Sequence, residues 1–451
     1  MKIKQFEDPG LAHYSYAILS EGAKEIILID PARDARPYYA FAEAHQATIV
    51  AVVETHSHAD FVSAHTEIQR VTGAKVFVSR RMKASFPHYP LEEGSLLTLG
   101  NITLRALETP GHSLDSISVV LRHKEKDLAI FTGDTLFVGD VGRPDLRGSG
   151  EDAARTREEL ARQMYHTIHA KLKTLAEDLV VYPAHGAGTL CGKSLSTDSS
   201  STIGREIREN YAFQPRSEEA FTQLLLENRP FVPKYFPFDV ALNRQGAPSL
   251  EESLSKVKSI TSIDGLPNGT LLIDTRPEKQ FKKGHHPGAI NIQDGAKFET
   301  WLGSIVAPEE TFGLIVENQE SREVVLLKAA KIGYETKVAA TFLHPEGSGQ
   351  STGPLPLADF AAHPRAYTIL DVREEHEVAN GKIFENSVSI PLSRLRERVG
   401  EIPLDKPIVV HCAGGYRSAA GSSLVQSQVK GVAVFDLGEA VKEFGVLQTD
   451  Q

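Results

Sequence analysis

The amino-acid sequence predicts a multidomain protein of α/β and α+β class. Apolar, β-branched runs alternate with helical stretches from the first residues, a pattern of buried strands covered by helices. The stretch Ile273-Asp274-Thr275-Arg276 recurs about a hundred residues later as Leu370-Asp371-Val372-Arg373, which marks an internal repeat. A length of 451 residues corresponds to about three domains.

Composition narrows the class. With 41% hydrophobic and 24% charged residues the chain matches ordinary globular proteins and excludes disordered and fibrous ones. No apolar run approaches the roughly 18–20 residues of a membrane helix, so no membrane association is expected. A formal net charge of -10 argues against a nucleic-acid partner, whose phosphates must be neutralised by Lys and Arg. The two cysteines, Cys191 and Cys412, are far apart and read as free thiols in a reducing compartment. Met1 to Phe6 lead into strand-like sequence without the apolar core of a secretory signal. Cytoplasm is the expected location.

In the first 243 residues the strands expected are Ile26–Asp30, Ile49–Val53, Lys75–Ser79, Leu96–Leu99, Ile102–Leu107 and Leu128–Phe131. Helices are expected over Asp34–His45, over Ala64–Val71 with Ser63 as cap and Gly73 as stop, and over Asp152–Leu175. Three of these strand regions, and a further one over Leu179–Tyr182, end in side chains that bind metals. Thr55-His56-Ser57-His58-Ala59-Asp60 follows one strand and Thr109-Pro110-Gly111-His112 another; Thr132-Gly133-Asp134 and Pro183-Ala184-His185 follow two more. Imidazoles and carboxylates at four strand ends imply one convergent transition-metal site at one sheet edge.

This order resembles the metallo-β-lactamase superfamily, whose fold is an αββα sandwich with the metal site at one edge. Hydrolases of that superfamily, such as glyoxalase II, read T-H-x-H-x-D-H, and the last histidine serves a second ion. Here that place is Phe61, which cannot ligate, so a mononuclear centre is expected. The chain resembles the persulfide dioxygenase branch, which implies one Fe(II) per chain on His56, His112 and Asp134. His58, Asp60 and His185 then orient the ligands and hold iron-bound water, with zinc on the same ligands as the alternative. Arg143 and Asp145, in Gly142-Arg143-Pro144-Asp145, fall where that branch binds substrate; the other reading is an Arg–Asp pair closing a surface turn. Cys191, in a glycine-rich loop after His185, is either a relay for sulfane sulfur or a small buried residue without chemistry.

A composition change at 243–248 reads as a linker. Leu271-Leu272-Ile273-Asp274-Thr275-Arg276 and Gly284-His285-His286-Pro287-Gly288-Ala289 then resemble the start of a rhodanese domain, a doubly wound α/β fold. After the strand Gly313–Val316 this copy (248–345) carries Glu317-Asn318-Gln319-Glu320-Ser321-Arg322 and no cysteine, so a scaffold role is expected. A flexible linker at 347–353 precedes the second copy (354–451). There Ile408-Val409-Val410 deliver His411-Cys412-Ala413-Gly414-Gly415-Tyr416-Arg417. Backbone N–H groups of such a loop and the following helix stabilise an anionic sulfur, and Arg417 adds positive charge. The C-x-x-x-x-R spacing resembles active rhodaneses and makes Cys412 the expected sulfur carrier.

Together the resemblances imply a multidomain persulfide dioxygenase–sulfurtransferase of sulfide detoxification. Its small-molecule partners would be a thiol persulfide, O2 and sulfite or thiosulfate, in a homo-oligomer. Two other classes are weighed against it: a zinc thioester hydrolase of the glyoxalase II type with regulatory rhodanese-like domains, and a sulfur carrier whose first domain is a scaffold.

Overall fold

A computed structural model describes residues 1–146, 152–193, 195–227, 229–344 and 349–445. Compactness divides the chain into one unit of residues 1–252 with 330–333, and a second of residues 253–329 with 334–451. Among the described residues no helix is long and apolar enough to cross a membrane.

The first unit is built on two six-stranded sheets. One contains Lys2–Asp8 (β1), His13–Ser20 (β2), Glu25–Ile29 (β3), Thr48–Glu54 (β4), Lys75–Ser79 (β5) and Tyr89–Leu91 (β6), in that spatial order. The other contains Leu96–Leu99 (β7), Ile102–Glu108 (β8), Ile117–His123 (β9), Lys126–Gly133 (β10), Val180–Pro183 (β11) and Ser201–Thr202 (β12), with neighbours in sequence order. Pairing is parallel from β3 to β6 and between β10 and β11. Alternation along each strand sorts side chains to two faces. Tyr16, Ile18, Ile27 and Val53 meet Leu104, Val119 and Phe131 between the sheets. The outer face of the first sheet takes Tyr38 and Ile68 from helices, and that of the second takes Met164, Ile168 and Phe221. Helix, sheet, sheet and helix therefore form the four layers expected from the sequence.

Three local expectations are revised. The helix after the histidine cluster runs His65–Thr72 with Ala64 in the cap position; one residue earlier, Ser63 Oγ accepts from the His65 N–H at 3.2 Å while donating its own proton to Glu54 at 2.7 Å, and Gly73 ends the helix at φ 75°. The helix expected over 152–175 is α-helical only to His166, then becomes a π turn over Thr167–Lys171 and a 3₁₀ turn over Leu172–Thr174. Thr167 donates to the Pro110 carbonyl at 2.7 Å and Lys171 to that of Glu108 at 2.6 Å, bonds that draw the π turn towards the segment bearing His112. Residue 243, placed at the linker edge, is a buried part of the helix Phe236–Gln245.

The second unit holds two parallel sheets. The first is ordered Lys258–Ser259 (β13), Val338–Leu343 (β17), Phe312–Val316 (β16), Leu271–Asp274 (β14), Ile290–Asn291 (β15). The second is ordered Val388–Ser389 (β19), Thr368–Asp371 (β18), Ile408–His411 (β20), Val434–Asp436 (β21). The internal repeat is visible in atomic detail. Arg276 pairs with Asp274 at 2.6 Å and reaches the Gly284 carbonyl at 2.9 Å; Arg373 pairs with Asp371 at 2.7 Å and reaches Gly381 at 3.0 Å. The D-x-R motif is thus a strand-end clamp in both copies. Of the linker expected at 347–353, residues 347 and 348 lie outside the described residues.

Candidate functional site

Four strands of the first unit, drawn from both sheets, deliver the candidate residues just beyond their carboxyl ends. His56 follows β4, His112 follows β8, Asp134 follows β10 and His185 follows β11; all four are at most 1% exposed. Close approach is secured by glycine where a side chain would collide. A Cβ on Gly111 would lie 2.7 Å from Met164, and one on Gly133 (φ 52°) would strike Thr55.

His56, His112 and Asp134 form one cluster, each offering one donor atom within 4.8 Å of the others. Asp134 Oδ2 lies 3.9 Å from His56 Nε2 and 3.6 Å from His112 Nε2. Metal–nitrogen bonds of about 2.0–2.1 Å bring donors to about 3–3.5 Å of one another, so a cation fits with shifts of a few tenths of an ångström. The ring tautomers are fixed from behind. His112 Nδ1 faces the Arg143 carbonyl at 2.9 Å and His185 Nδ1 the Ala12 carbonyl at 3.2 Å. Since a carbonyl only accepts, both rings carry their proton on Nδ1. His56 Nδ1 lies 3.1 Å from Thr55 Oγ1, whose own proton goes to Asp30 Oδ2 at 2.8 Å, so Thr55 accepts from His56. All three Nε2 lone pairs therefore face the Asp134 carboxylate. Burial works to raise the Asp134 pKa, but His185, His112 and His58 beside it hold it below its ordinary value.

The other expected residues fall into two further groups. Asp60, His185 and Cys191 have donor atoms within 4.8 Å of one another. His185 Nε2 stands 3.2 Å from Asp60 and 3.4 Å from Asp134 Oδ1, so this group touches the first through the other oxygen of the same carboxylate. Burial, with Asp60 and Asp134 nearby, pushes the Cys191 thiol well above its ordinary pKa. His58 turns elsewhere: its Nε2 lies 3.1 Å from Asp30 and 3.3 Å from Glu54. Burial alone would lower His58, but these carboxylates hold it well above its usual value.

Arg143 and Asp145 face each other in a bidentate pair of 2.6 and 2.7 Å, both nearly inaccessible, with Arg229 adding a third contact at 3.2 Å. The Arg143 guanidinium also donates to the Leu190 carbonyl at 3.2 Å, and its N–H to that of Cys191 at 3.0 Å. This pair ties the loop bearing Cys191 to the backbone that holds His112.

In the second unit, Cys412 follows β20 and its Sγ accepts from the Gly415 N–H at 3.1 Å. Gly415 has φ 102° and immediately precedes the helix Tyr416–Gln428. A Cβ there would lie 3.0 Å from the Glu439 amide. Arg417 is not a lone charge: it forms a bidentate pair with Glu377, one arm at 2.8 Å. In the middle copy, Asn318 Oδ1 accepts from Ser321 N at 2.8 Å and Ser321 Oγ from Asn318 N at 3.0 Å. In this copy the loop amides of Asn318 and Ser321 are engaged by each other's side chains.

Residues 9–185 match the metallo-beta-lactamase superfamily, and residues 260–344 and 357–444 each match the rhodanese-like domain. A cytoplasmic hydroxyacylglutathione hydrolase of Arabidopsis thaliana is 35% identical over 187 residues, 41% of this chain and 67% of that one. The chain belongs to the metallo-beta-lactamase superfamily. Human mitochondrial persulfide dioxygenase is 26% identical over 184 residues, again 41% of this chain and 67% of the relative. A Staphylococcus aureus metallo-beta-lactamase crystal structure superposes with TM-score 0.67 at 29% identity, covering 76% of this chain and 99% of its own.

Superfamily membership with a His/His/Asp cluster marks a metal-dependent enzyme carrying rhodanese-like domains. Phe61 packs against His13 at 3.9 Å and His58 at 4.4 Å between ring centroids, so an apolar wall stands beside the cluster. Several residues of the site were not anticipated. Asp30, at φ 48°, is the anchor behind Thr55; Glu54, pushed up to about 7 by burial, flanks His58. Both are carboxylates at strand ends, a signal the sequence did contain. Asn243 donates to the carbonyls of His58 at 2.9 Å and Phe61 at 2.7 Å and accepts from Ser63 N at 2.8 Å. That clamp spans some 180 residues of sequence and carries no local signature.

Proposed function

We propose that this chain is an iron(II)-dependent persulfide dioxygenase joined to a sulfurtransferase that handles its product. The reading is RSSH + O2 + H2O → RSH + SO3²⁻ + 2H⁺, with RSSH a low-molecular-weight thiol persulfide. Two imidazoles and one carboxylate on one face, His56, His112 and Asp134, are the observation that carries it, because that donor set leaves neighbouring positions for two reactants. A ferrous ion held there supplies the place where persulfide sulfur and dioxygen meet. The chain's own residues do the rest. Thr55 and the Arg143 and Ala12 carbonyls keep the three Nε2 atoms unprotonated. His185 and Asp60 stand beside Asp134 to hold water or a proton, and Cys191, whose thiol burial keeps protonated, packs in the same group. Arg143 and Asp145 shape the loop over the substrate.

Cys412 completes the sequence: Cys412–S–S⁻ + SO3²⁻ → Cys412–S⁻ + S2O3²⁻, or its reverse. The Gly415 N–H stabilises the sulfur anion, and Arg417 holds the loop through Glu377. Oxygen uptake by the iron-reconstituted full chain across a panel of thiol persulfides tests the first half. His56→Ala should abolish uptake and leave sulfur transfer, whereas Cys412→Ser should stop thiosulfate formation and spare sulfite. The 35% identity to a hydroxyacylglutathione hydrolase favours a second reading, a zinc thioester hydrolase. Zinc in the purified protein together with thioester cleavage and no oxygen uptake would establish that reading and remove the first.

A further inference from the structure

The metal-cluster side chains are almost wholly inaccessible, so a substrate must reach them past the loops that follow their strands. Two of these loops line a cavity of about 260 Å³ whose walls are Leu114, Leu146, Leu160, Pro237 and Val240, with Asp115, Thr156 and Arg244 as polar residues. Leu114 and Asp115 come two and three residues after His112. Asp115 takes the Ser57 N–H at 2.9 Å and hydroxyl at 2.6 Å, next to His56. Leu146 immediately follows Asp145. The cavity therefore shares backbone with the segments that carry two of the three cluster residues. Its volume is below the roughly 300–1,000 Å³ of whole-ligand pockets, so it suits one arm of a ligand.

Arg244 is the unusual member. Its Nε is buried with no hydrogen-bond partner, and the side chain forms no ion pair among the described residues. A guanidinium beside an apolar cavity with its Nε unsatisfied is costly unless a ligand supplies an anion. Asp115, the carboxylate on the same cavity, is engaged by Ser57, which donates to its Oδ2 through both N–H and hydroxyl.

We infer that this cavity receives the carrier arm of the thiol persulfide, and that the preferred arm is an apolar chain ending in an anionic group that pairs with Arg244. The inference rests on the persulfide reading of the metal cluster and adds the substrate class. It can be tested without turnover, by calorimetric titration of the full-length, metal-loaded protein under anaerobic conditions. The ligands are 6-mercaptohexanoate, 6-mercaptohexyl phosphate and the uncharged 6-mercaptohexanol.

The anionic thiols should bind roughly tenfold more tightly than the alcohol, the lower end of what a charge-assisted bond contributes. The better of the two anions identifies the terminal group as carboxylate or phosphate. Arg244→Gln should erase the difference while leaving mercaptohexanol unchanged, and Arg244→Lys should keep most of it. Leu114 is 48% exposed, so Leu114→Trp can narrow the mouth without disturbing the core, and should weaken all three thiols. Equal affinity for charged and uncharged thiols, or a preference that survives Arg244→Gln, overturns the inference. Charge-selective binding of these thiols by a protein that takes up no oxygen, in a separate aerobic assay, with the corresponding persulfides would instead overturn the dioxygenase reading and leave the cavity assignment standing.

Discussion

Replacing Thr55 by valine tests how the candidate metal centre is held together. The side chains have nearly the same shape, so the change removes one hydroxyl and little packing. In the native chain that hydroxyl donates to Asp30 Oδ2 at 2.8 Å and accepts from His56 Nδ1 at 3.1 Å. Valine frees His56 to rotate or to change tautomer, while His112 stays pinned by the Arg143 carbonyl at 2.9 Å. One of three donors is loosened, and outer partners of this kind are worth about 10–100-fold in metal affinity, or about 1.4–2.7 kcal/mol. Asp30 also loses a donor but keeps the Thr55 N–H at 2.7 Å, which limits the folding cost to about 1–3 kcal/mol. Competition between the full-length protein and a chromophoric chelator measures the first quantity, and denaturant melts of the metal-free protein the second. Thr55→Ser keeps the hydroxyl and should retain most of the affinity. If Thr55→Val binds metal within twofold of wild type, the relay from Asp30 through Thr55 to His56 does not position the ligand.

Three further outcomes follow from the second unit. Gly415→Ala meets both the left-handed backbone at φ 102° and the Glu439 amide 3.0 Å away. It should cost about 1–2 kcal/mol and depress Cys412 sulfur transfer, read by denaturant melts and thiosulfate assay, while oxygen uptake is unchanged. Burial pushes Glu374 up to about 7 from 4.5, so the folded state holds its proton more tightly than the unfolded one. The associated stability is complete below about pH 4.5 and lost as the pH rises towards 7. Glu374→Gln should therefore gain stability over wild type across that window by up to a few kcal/mol, with no further gain above it. Glu317→Cys places a thiol directly after β16, as Cys412 stands after β20. Because Asn318 and Ser321 occupy the neighbouring amides, the new thiol should titrate near its ordinary value and should not restore transfer in a Cys412→Ser background. Restored transfer would show that the missing cysteine alone silences the middle domain.

The parts of the fold that were legible in sequence rest on short-range signals. Ile26–Ile29, Thr48–Glu54 and Ile408–His411 are strands because runs of β-branched residues fit a surface buried on both faces. The glycine stop at 73 and the repeated D-x-R clamp are equally local, and both appear where expected. Expectations departed where tertiary bonds outweighed local preference. The helix at 152–175 changed pitch where Thr167 and Lys171 reach distant carbonyls, and Ser63 stands one residue outside the cap, taking the His65 N–H while its own proton goes to Glu54.

Proximity of the four strand ends was readable, because the topology of a sandwich leaves them little choice. Which histidine faces which carboxylate was not. His56 and His58 are two residues apart, yet one ring points to Asp134 and the other to Asp30 and Glu54. The difference arises from where the acids sit. Asp30 at the end of β3 and Glu54 at the end of β4 attract His58 out of the cluster, and Phe61, tilted at 36° with its centroid 4.4 Å away, packs against that turned-away ring. A chain with the same histidines but without Asp30 and Glu54 would have no reason to hold His58 back, and its nitrogen would be available to the metal. The choice of donor set therefore lies in two carboxylates outside the histidine motif. Replacing Asp30 and Glu54 by Asn and Gln in the same chain should change coordination number before it changes fold.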